Sequence, residues 1–188
     1  SIPILWSLLP KKGNSNEQER IELLDRFFTI VGKGKIYNLL ADREFIGDKW
    51  IRYLIDHEIP FDIRVRENMI VLYKGIRMRV TRLFKGIPIG KPTTIRGMVV
   101  LGTNKVYVQG ERIVNSKTNK IEWLIVSTYH QPGESIKRYG QRWYIENMFK
   151  DMKSNGFQLK CTHITDAERL STLMSILAIA YTWMIRIG

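Results

Sequence analysis

The stretch YGQRWYIENMFKDMKSNGF, residues 139–157, is crowded with charged and aromatic side chains at regular spacing. Four of these side chains would lie within roughly 60° of one another on a single helix, because a helix turns about 100° per residue. The four residues are Tyr139, Arg142, Glu146 and Lys153. Such a face suits catalysis or phosphate binding. An ion-paired surface helix, with Glu146 between Arg142 and Lys150 at i±4, explains the same pattern without any chemistry.

A second carboxylate strengthens the catalytic interpretation. Asp42 closes the apolar run NLLAD and precedes REF and a predicted helix. The carboxyl ends of strands in open α/β sheets are common sites of ligand binding, although an aspartate at this point also suits the N-cap of the next helix. Taken together, Asp42 and Glu146 predict a metal site, because Mg²⁺ takes oxygen ligands and commonly uses one or two carboxylates with substrate phosphates.

The cationic neighbours of Glu146 fit phosphodiester chemistry. Two divalent ions close together activate a nucleophile and stabilise the leaving oxygen. Arg142 and Lys153 would then hold phosphates about one helical turn away, with Lys150 beside them. Tyr139 would donate a hydrogen bond to a phosphate oxygen or stack on a base.

The first third of the chain predicts an alternation of strands and helices. We expect a buried strand at 2–9, a helix at 19–31 capped by Ser15 or Asn16, a strand at 35–42, a helix at 43–59 and a strand at 60–66. This is the order of an α/β layer fold.

The rest of the chain predicts a β-rich middle and two final helices. From about 65 to 128 no helical pattern appears, and short strands alternate with Gly and Pro turns. The last strand, WLIVST, is expected to return to the core sheet. The final helices are expected at 134–154, stopped by Asn155 and Gly156, and at 166–187.

The chain is strongly basic, which indicates a polyanionic partner. It has 188 residues and a net charge of +12. Residues 64–96 carry nine basic side chains and one acidic side chain, Glu67. Arg77 and Arg79 alternate with apolar residues, so one strand face is cationic, and Arg82 follows. Charge that protects an edge strand from aggregation is the structural alternative, but so one-sided a balance favours contact with nucleic acid.

The composition excludes several classes of protein. One cysteine allows no intrachain disulfide and fits a reducing, cytoplasmic setting. Three histidines and one cysteine exclude a zinc finger. Residues 170–187 are near the minimum length of a membrane span, about 17 residues. A helix buried against a sheet has the same pattern, and it is the interpretation that we favour, with no membrane partner.

The site residues also resemble a known signature. The spacing Y-x2-R-x3-E-x6-K, filled by Tyr139, Arg142, Glu146 and Lys153, is similar to that of bacterial insertion-sequence transposases of the IS-four family, relatives of the Tn-five transposase. LLADREFIGDKWIRYL resembles the segment around the second catalytic aspartate of that family, which would be Asp42. KKGNSN, WLIVST and KSNGFQLKCTHI also resemble family segments, so the similarity covers nearly the whole chain.

The resemblance implies an α/β fold of the ribonuclease H-like class, a mixed sheet flanked by helices with an all-β insertion before the helix of the catalytic glutamate. In this chain that means one domain, 1–188, with its core at 1–64 and 120–188 and the insertion at 65–119. It implies a DDE triad that binds two Mg²⁺ ions, with Mn²⁺ as a substitute. Asp42 would be the second aspartate and Glu146 the glutamate. Tyr139, Arg142 and Lys153 would contact phosphates of the transposon end.

The same resemblance sets expectations about partners and completeness. The partners would be transposon-end and target DNA, bound by a homodimer on paired ends in the bacterial cytoplasm. The first aspartate of the family lies on a strand upstream of the segment that matches IPILWSLL, so we expect an N-terminally truncated chain with two of the three metal ligands. The alternative is a non-catalytic DNA-binding remnant or a regulator of transposition.

Overall fold

The structure is a computed structural model that describes residues 1–116, 118–155, 162, 164 and 166–187. The chain divides into two compact units. The first, here called the sheet unit, is Asn16–Gln141. The second, here called the helical unit, joins Ser1–Ser15 to Arg142–Gly188.

The sheet unit contains three α-helices and eight strands within its described residues. The helices are α1 (Glu17–Val31), α2 (Asp48–Asp56) and α3 (Ser135–Gly140). The strands are β1 (Leu39–Ala41), β2 (Phe61–Arg64), β3 (Ile70–Tyr73), β4 (Ile76–Arg79), β5 (Thr93–Thr94), β6 (Val99–Leu101), β7 (Asn104–Val114) and β8 (Ile121–Thr128). Short 3₁₀ helices lie at Lys33–Lys35, Arg43–Phe45, Val80–Phe84 and Pro132–Glu134.

The strands form one mixed sheet that is mostly antiparallel. Its order is β1-β2-β8-β7-β6-β3-β4, and β5 pairs with β7. Only the pairing of β1 with β2 is parallel among the named strands of the described residues. The mixed α/β class is therefore as predicted. The strands at 65–119 extend the same sheet through β7, which pairs with β8 from Tyr107 opposite Thr128 to Val114 opposite Ile121.

Helices cover both faces of this sheet. Side chains alternate between the faces along a strand. Phe61 and Ile63 of β2 belong to the main core, which also contains Trp50 and Leu54 of α2. On the opposite face α3 contacts β1, β2, β7 and β8. There Ile136 and Tyr139 pack against Val126, forming a second, smaller cluster.

The start of α1 was predictable from local chemistry. The side chain of Asn16 accepts a hydrogen bond from the backbone N–H of Glu19, and Glu19 accepts one from the N–H of Asn16. This reciprocal capping satisfies donors that the first turn of a helix leaves unpaired. The predicted cap at Asn16 is confirmed.

The predicted helix at 43–59 is shorter than expected. Its first residues, Arg43–Phe45, form a 3₁₀ turn, and α2 begins only after Gly47. Glu17 of α1 explains this start, because its Oε1 accepts a hydrogen bond from the N–H of Trp50 at 3.1 Å. A Cβ on Gly47 would lie 2.2 Å from the same Glu17 atom. The glycine therefore lets a carboxylate of α1 cap α2.

Two strand predictions are wrong in part or in full. Residues 1–9, all of which the structure describes, form no strand. An apolar run does not by itself reveal whether a pairing strand is available. The segment IRMRVTRLF, residues 76–84, predicts one strand of the β-rich middle, but only Ile76–Arg79 form a strand. Val80–Phe84 form a 3₁₀ helix, in which Val80 and Phe84 are fully buried. The ring of Phe84 packs on the backbone of Gly110, and a Cβ at that position would lie 2.7 Å from the ring.

The helix predicted at 134–154 is interrupted. α3 ends at Gly140, and α4 (Trp143–Lys150) begins after a turn at Gln141 and Arg142. Glycine is a poor helix former, and the N–H of Gln141 bonds to the carbonyl of Arg138 at 3.0 Å, as in a 3₁₀ turn. The chain then enters a π-helical turn at Asp151–Asn155. The predicted stop at Gly156 lies outside the described residues.

The helical unit also contains α5 (Ala167–Ile187), which packs through Tyr181 on Met148 and Met152. By length and composition, α5 qualifies as a membrane span among the described residues, a criterion that core helices of soluble proteins also meet. Its buried residues are Leu177, Ala178 and Tyr181, and 17% of its apolar window is buried. α5 is thus more exposed than the sequence predicted, since a helix buried against a sheet was expected at this position.

Candidate functional site

Asp42 lies directly after β1, at the carboxyl end of this strand, and its side chain is half-buried. Its Oδ1 accepts a hydrogen bond from the N–H of Arg43 at 2.7 Å, so Asp42 is the N-cap of the 3₁₀ turn. The position at the strand end and the capping role were both predicted. Capping the 3₁₀ turn and binding a metal ion are compatible roles for Asp42, because a single carboxylate has about four lone-pair sites.

Tyr139 of α3 contacts Asp42. Its hydroxyl donates to Oδ1 of Asp42 over 3.4 Å. Its ring is only 6% exposed and packs on Val126 and Ile136. The sequence linked Tyr139 to Glu146 on one helix, but the fold links it to the strand end at Asp42.

A buried ion pair lies next to this contact, and the sequence analysis missed it. Nε of Arg138 lies 2.6 Å from Oδ2 of Asp62, and Nη2 of Arg138 lies 3.0 Å from Oδ1. The side chain of Asp62 is 0% exposed and that of Arg138 is 14% exposed. The same guanidinium donates to the carbonyls of His130 and Gln131, and Asn38 donates to Oδ2 of Asp62 at 2.6 Å. The charges are thus well satisfied, as buried charges must be.

The sequence carries no clear signal for this pair. In PFDIRVR the apolar residues alternate with Asp62, Arg64 and Arg66, so the period-two pattern places Asp62 on the polar face of the strand. Its carboxylate is buried because α3 packs on that face. Its partner could not be chosen, because Arg138 is 76 positions away and the region carries many arginines.

Glu146 and Arg142 form an ion pair on the helical unit. Nη2 of Arg142 donates to Oε1 of Glu146, at i,i+4 along the chain. The side chain of Glu146 is 55% exposed and that of Arg142 is 20% exposed. The predicted pairing of Glu146 with Arg142 is therefore present. Lys150 is exposed, and Nζ of Lys153 lies 5.4 Å above the ring of Phe149.

The expectation of one shared helix face is wrong. Tyr139 lies on α3, Glu146 on α4 and Lys153 on the π-helical turn. The break at Gln141 and Arg142 and the wider π turn remove the 100° spacing on which that expectation rested. Asp42 belongs to the sheet unit and Glu146 to the helical unit, so each carboxylate is described within its own unit.

The three arginines predicted to bind DNA are exposed. Arg77 and Arg79 lie on β4, the last strand in the sheet order, and Arg82 lies on the 3₁₀ helix that follows. Because they are two residues apart on a strand, Arg77 and Arg79 point to the same side. This arrangement fits both protection of a sheet edge and contact with phosphates.

Asp42 and Glu146, each within its own unit, offer carboxylate oxygens, the type of donor that hard divalent cations such as Mg²⁺ prefer. Within the described part of the chain, no three His, Cys, Asp or Glu side chains group as a metal centre would require. Asp42 accepts its hydrogen bonds through Oδ1, and Glu146 bonds to Arg142 through Oε1. Oxygen ligands from one or two carboxylates suffice for Mg²⁺ when substrate phosphates complete its coordination. The adjacent acid Glu44 instead pairs with Arg66 at 2.7 Å.

Comparison with known proteins gives one family. Residues 3–183 match the family described as "Transposase DDE domain". Comparison with curated proteins gives no match. Much of KSNGFQLKCTHI, a segment on which the sequence resemblance partly rested, lies outside the described residues.

Proposed function

This chain belongs to the family of transposase DDE domains, and from that we propose that it carries out metal-dependent phosphodiester hydrolysis and strand transfer during cut-and-paste DNA transposition. We propose the IS-four group as its subfamily and the ribonuclease H-like class as its fold. The family match supports transposition in general. The metal dependence and the residue roles below are the proposal.

Asp42 and Glu146 are the proposed metal ligands, with two Mg²⁺ ions, replaceable by Mn²⁺, as the cofactor. Bound divalent ions supply Lewis acidity that activates the attacking oxygen and offsets charge on the leaving oxygen. The supporting observation is the hydrogen bond from Tyr139 to Asp42 at a strand end. The N–H of Arg43 bonds to Oδ1 at 2.7 Å and the hydroxyl of Tyr139 approaches the same atom at 3.4 Å, so both donors favour one orientation of the carboxylate.

The cationic residues would bind the DNA backbone. In the helical unit these are Arg142, Lys150 and Lys153, and Arg142 also orients Glu146 through their ion pair. In the sheet unit, Arg77, Arg79 and Arg82 would follow phosphates further from the cleavage point. All of them carry positive charge on a chain of net charge +12, and all but Arg142 are exposed. The proposed assembly is a homodimer on paired transposon ends in the bacterial cytoplasm.

The experiment compares nicking with binding. A supercoiled plasmid is incubated with the protein in Mg²⁺ or Mn²⁺, and binding to the same DNA is measured in EDTA. We expect nicking that Asp42→Asn and Glu146→Gln each abolish while binding stays within twofold. Asp25→Asn, an acidic position on α1 outside the proposed site, is the matched control and should nick as the unmodified protein does.

The second candidate function is DNA binding without cleavage, in a remnant or a regulator of transposition. The exposed arginines of β4 and of the 3₁₀ helix that follows favour it, because they can bind phosphates without any metal. It predicts salt-sensitive DNA binding by the unmodified protein and no nicking in either metal. That result would overturn the catalytic proposal.

A further inference from the structure

A cleft of about 470 Å³ lies in the sheet unit, near the end of β1 that leads to Asp42. Its walls are the segment before and within β1, and α3 with the turn that precedes it. Phe27, Ile36 and Leu40 supply apolar surface. Pockets that hold small organic ligands have volumes of about 300 to 1,000 Å³, so this cleft has room for one nucleotide.

The polar part of the lining favours an anion. It contains three cations, Lys35, Lys137 and Arg138, and one acid, Glu134. Glu134 pairs with Lys137 at 3.3 Å, but both side chains are largely exposed, and such pairs are weak. Arg138 is fixed by buried Asp62. Lys35 and Lys137 are exposed, which leaves their ammonium groups accessible to a phosphate.

The cleft also has the means to hold a base. The ring of Tyr37 is 86% exposed. An exposed aromatic ring is a stacking platform for an unpaired base of any sequence. The side-chain amides of Asn38, Gln131 and Gln141 add donors and acceptors to the same lining. Stacking needs an open base face, so the cleft favours a single strand over a duplex.

The position of the cleft connects it to Asp42. Leu40 lines the cleft, and Asp42 lies two residues further on, on the same side of the extended chain. Two residues of strand span about 7 Å, a distance that one to two stacked nucleotides cover. α3 contributes to both places, because Lys137 and Arg138 line the cleft and Tyr139 contacts Asp42.

We propose that this cleft binds one nucleotide of a single DNA strand, next to the phosphate presented to Asp42. Lys35 and Lys137 contact its phosphate, and Tyr37 stacks on its base. The position relative to cleavage rests on the proposed function, whereas the binding itself does not. None of the residues that the sequence assigned to DNA binding lines this cleft.

The test measures binding of a fluorescent oligothymidine and of a duplex of equal length, in EDTA and over a range of salt concentrations. The double variant Lys35→Ala with Lys137→Ala should weaken single-strand binding at least tenfold at about 50 mM salt. The slope of log affinity against log salt should shrink by roughly 0.7, because the two lysines contact one phosphate and each neutralised phosphate on a single strand contributes about 0.7. The matched control, Lys49→Ala with Lys105→Ala, removes two exposed lysines outside the cleft and should stay within twofold.

The role of Tyr37 is tested separately. Tyr37→Ala should weaken oligothymidine binding roughly tenfold and leave duplex binding unchanged, whereas Tyr37→Phe should bind as the unmodified protein does. All three positions are exposed, so thermal unfolding should not change. The inference is overturned if the cleft and control double variants bind alike, or if Tyr37→Ala weakens both DNA forms equally. Oligothymidine binding is measured in EDTA and therefore does not depend on a metal ion. If Asp42→Asn loses nicking in Mg²⁺ but keeps oligothymidine binding, the two proposals are separated.

Discussion

The hydroxyl of Tyr139 lies 3.4 Å from Oδ1 of Asp42, although the residues are 97 positions apart in the chain. The preceding residue on α3, Arg138, forms the buried ion pair with Asp62. Asp62 lies opposite Leu40 in the parallel pairing of β2 with β1. One short helix therefore holds two adjacent strands and the carboxylate that follows one of them.

The variant Tyr139→Phe removes the hydroxyl and keeps the ring, so it tests the role of the hydroxyl alone. Losing one hydrogen bond should cost about 1 kcal/mol of unfolding free energy. If Tyr139 orients a metal ligand, the nicking rate should fall roughly 10- to 100-fold. Chemical denaturation and the plasmid assay measure the two effects. Tyr139→Ala also removes the buried ring and should cost about 3–5 kcal/mol. Nicking unchanged in Tyr139→Phe would show that the hydroxyl has no such role.

The pair of Arg138 and Asp62 is expected to hold α3 on the sheet. Asp62→Ala leaves a largely buried guanidinium without its carboxylate and should destabilise the sheet unit by about 3–5 kcal/mol. The double variant Asp62→Leu with Arg138→Met removes both charges and should be the more stable of the two, because the uncompensated charge is gone. Equal destabilisation of both variants in urea titrations would show that packing, and not charge, matters here.

The raised pKa of Glu111 on β7 should make the stability of the protein depend on pH. Burial raises the pKa of its carboxyl above the ordinary value, so the folded protein binds the proton more tightly than the unfolded chain. Unfolding free energy therefore falls as pH rises through this range. Glu111→Gln should unfold at a higher temperature at pH 7, and the gain should vanish below the ordinary glutamate pKa. A gain that is the same at pH 7 and pH 3.5 in calorimetry would contradict this origin.

Gly110 should not tolerate a side chain. A Cβ there would lie 2.7 Å from the ring of fully buried Phe84, and such overpacking costs about 1–3 kcal/mol. Gly34→Ala is the control, because its Cβ would meet nothing within 4 Å and its φ is not positive. It should be neutral or slightly stabilising. Equal unfolding midpoints for the two variants would show that the ring moves aside freely.

Local signals in the sequence predicted much of the fold. The cap at Asn16 and the strand WLIVST, which is part of β8, follow from short-range pattern and appear in the structure. The break after Gly140 was missed because a periodic pattern continues across it. A single glycine is only a weak signal for the end of a helix.

The candidate site was predictable only in part. Asp42 at a strand end and the pairing of Arg142 with Glu146 depend on neighbours in the chain, and both are present. The contacts of Tyr139 with Asp42 and of Arg138 with Asp62 depend on how α3 packs across β1 and β2. No pattern within one segment specifies such a contact.

Divalent metal binding by Asp42 and Glu146 is the most direct test of the proposed catalytic role. Mn²⁺ is added to ¹⁵N-labelled protein, and paramagnetic broadening of amide signals is followed in the unmodified protein and in three variants. We predict selective broadening around both residues, lost in Asp42→Asn and in Glu146→Gln and kept in Asp25→Asn. Unchanged broadening in both site variants, or broadening confined to other acidic residues, would contradict it.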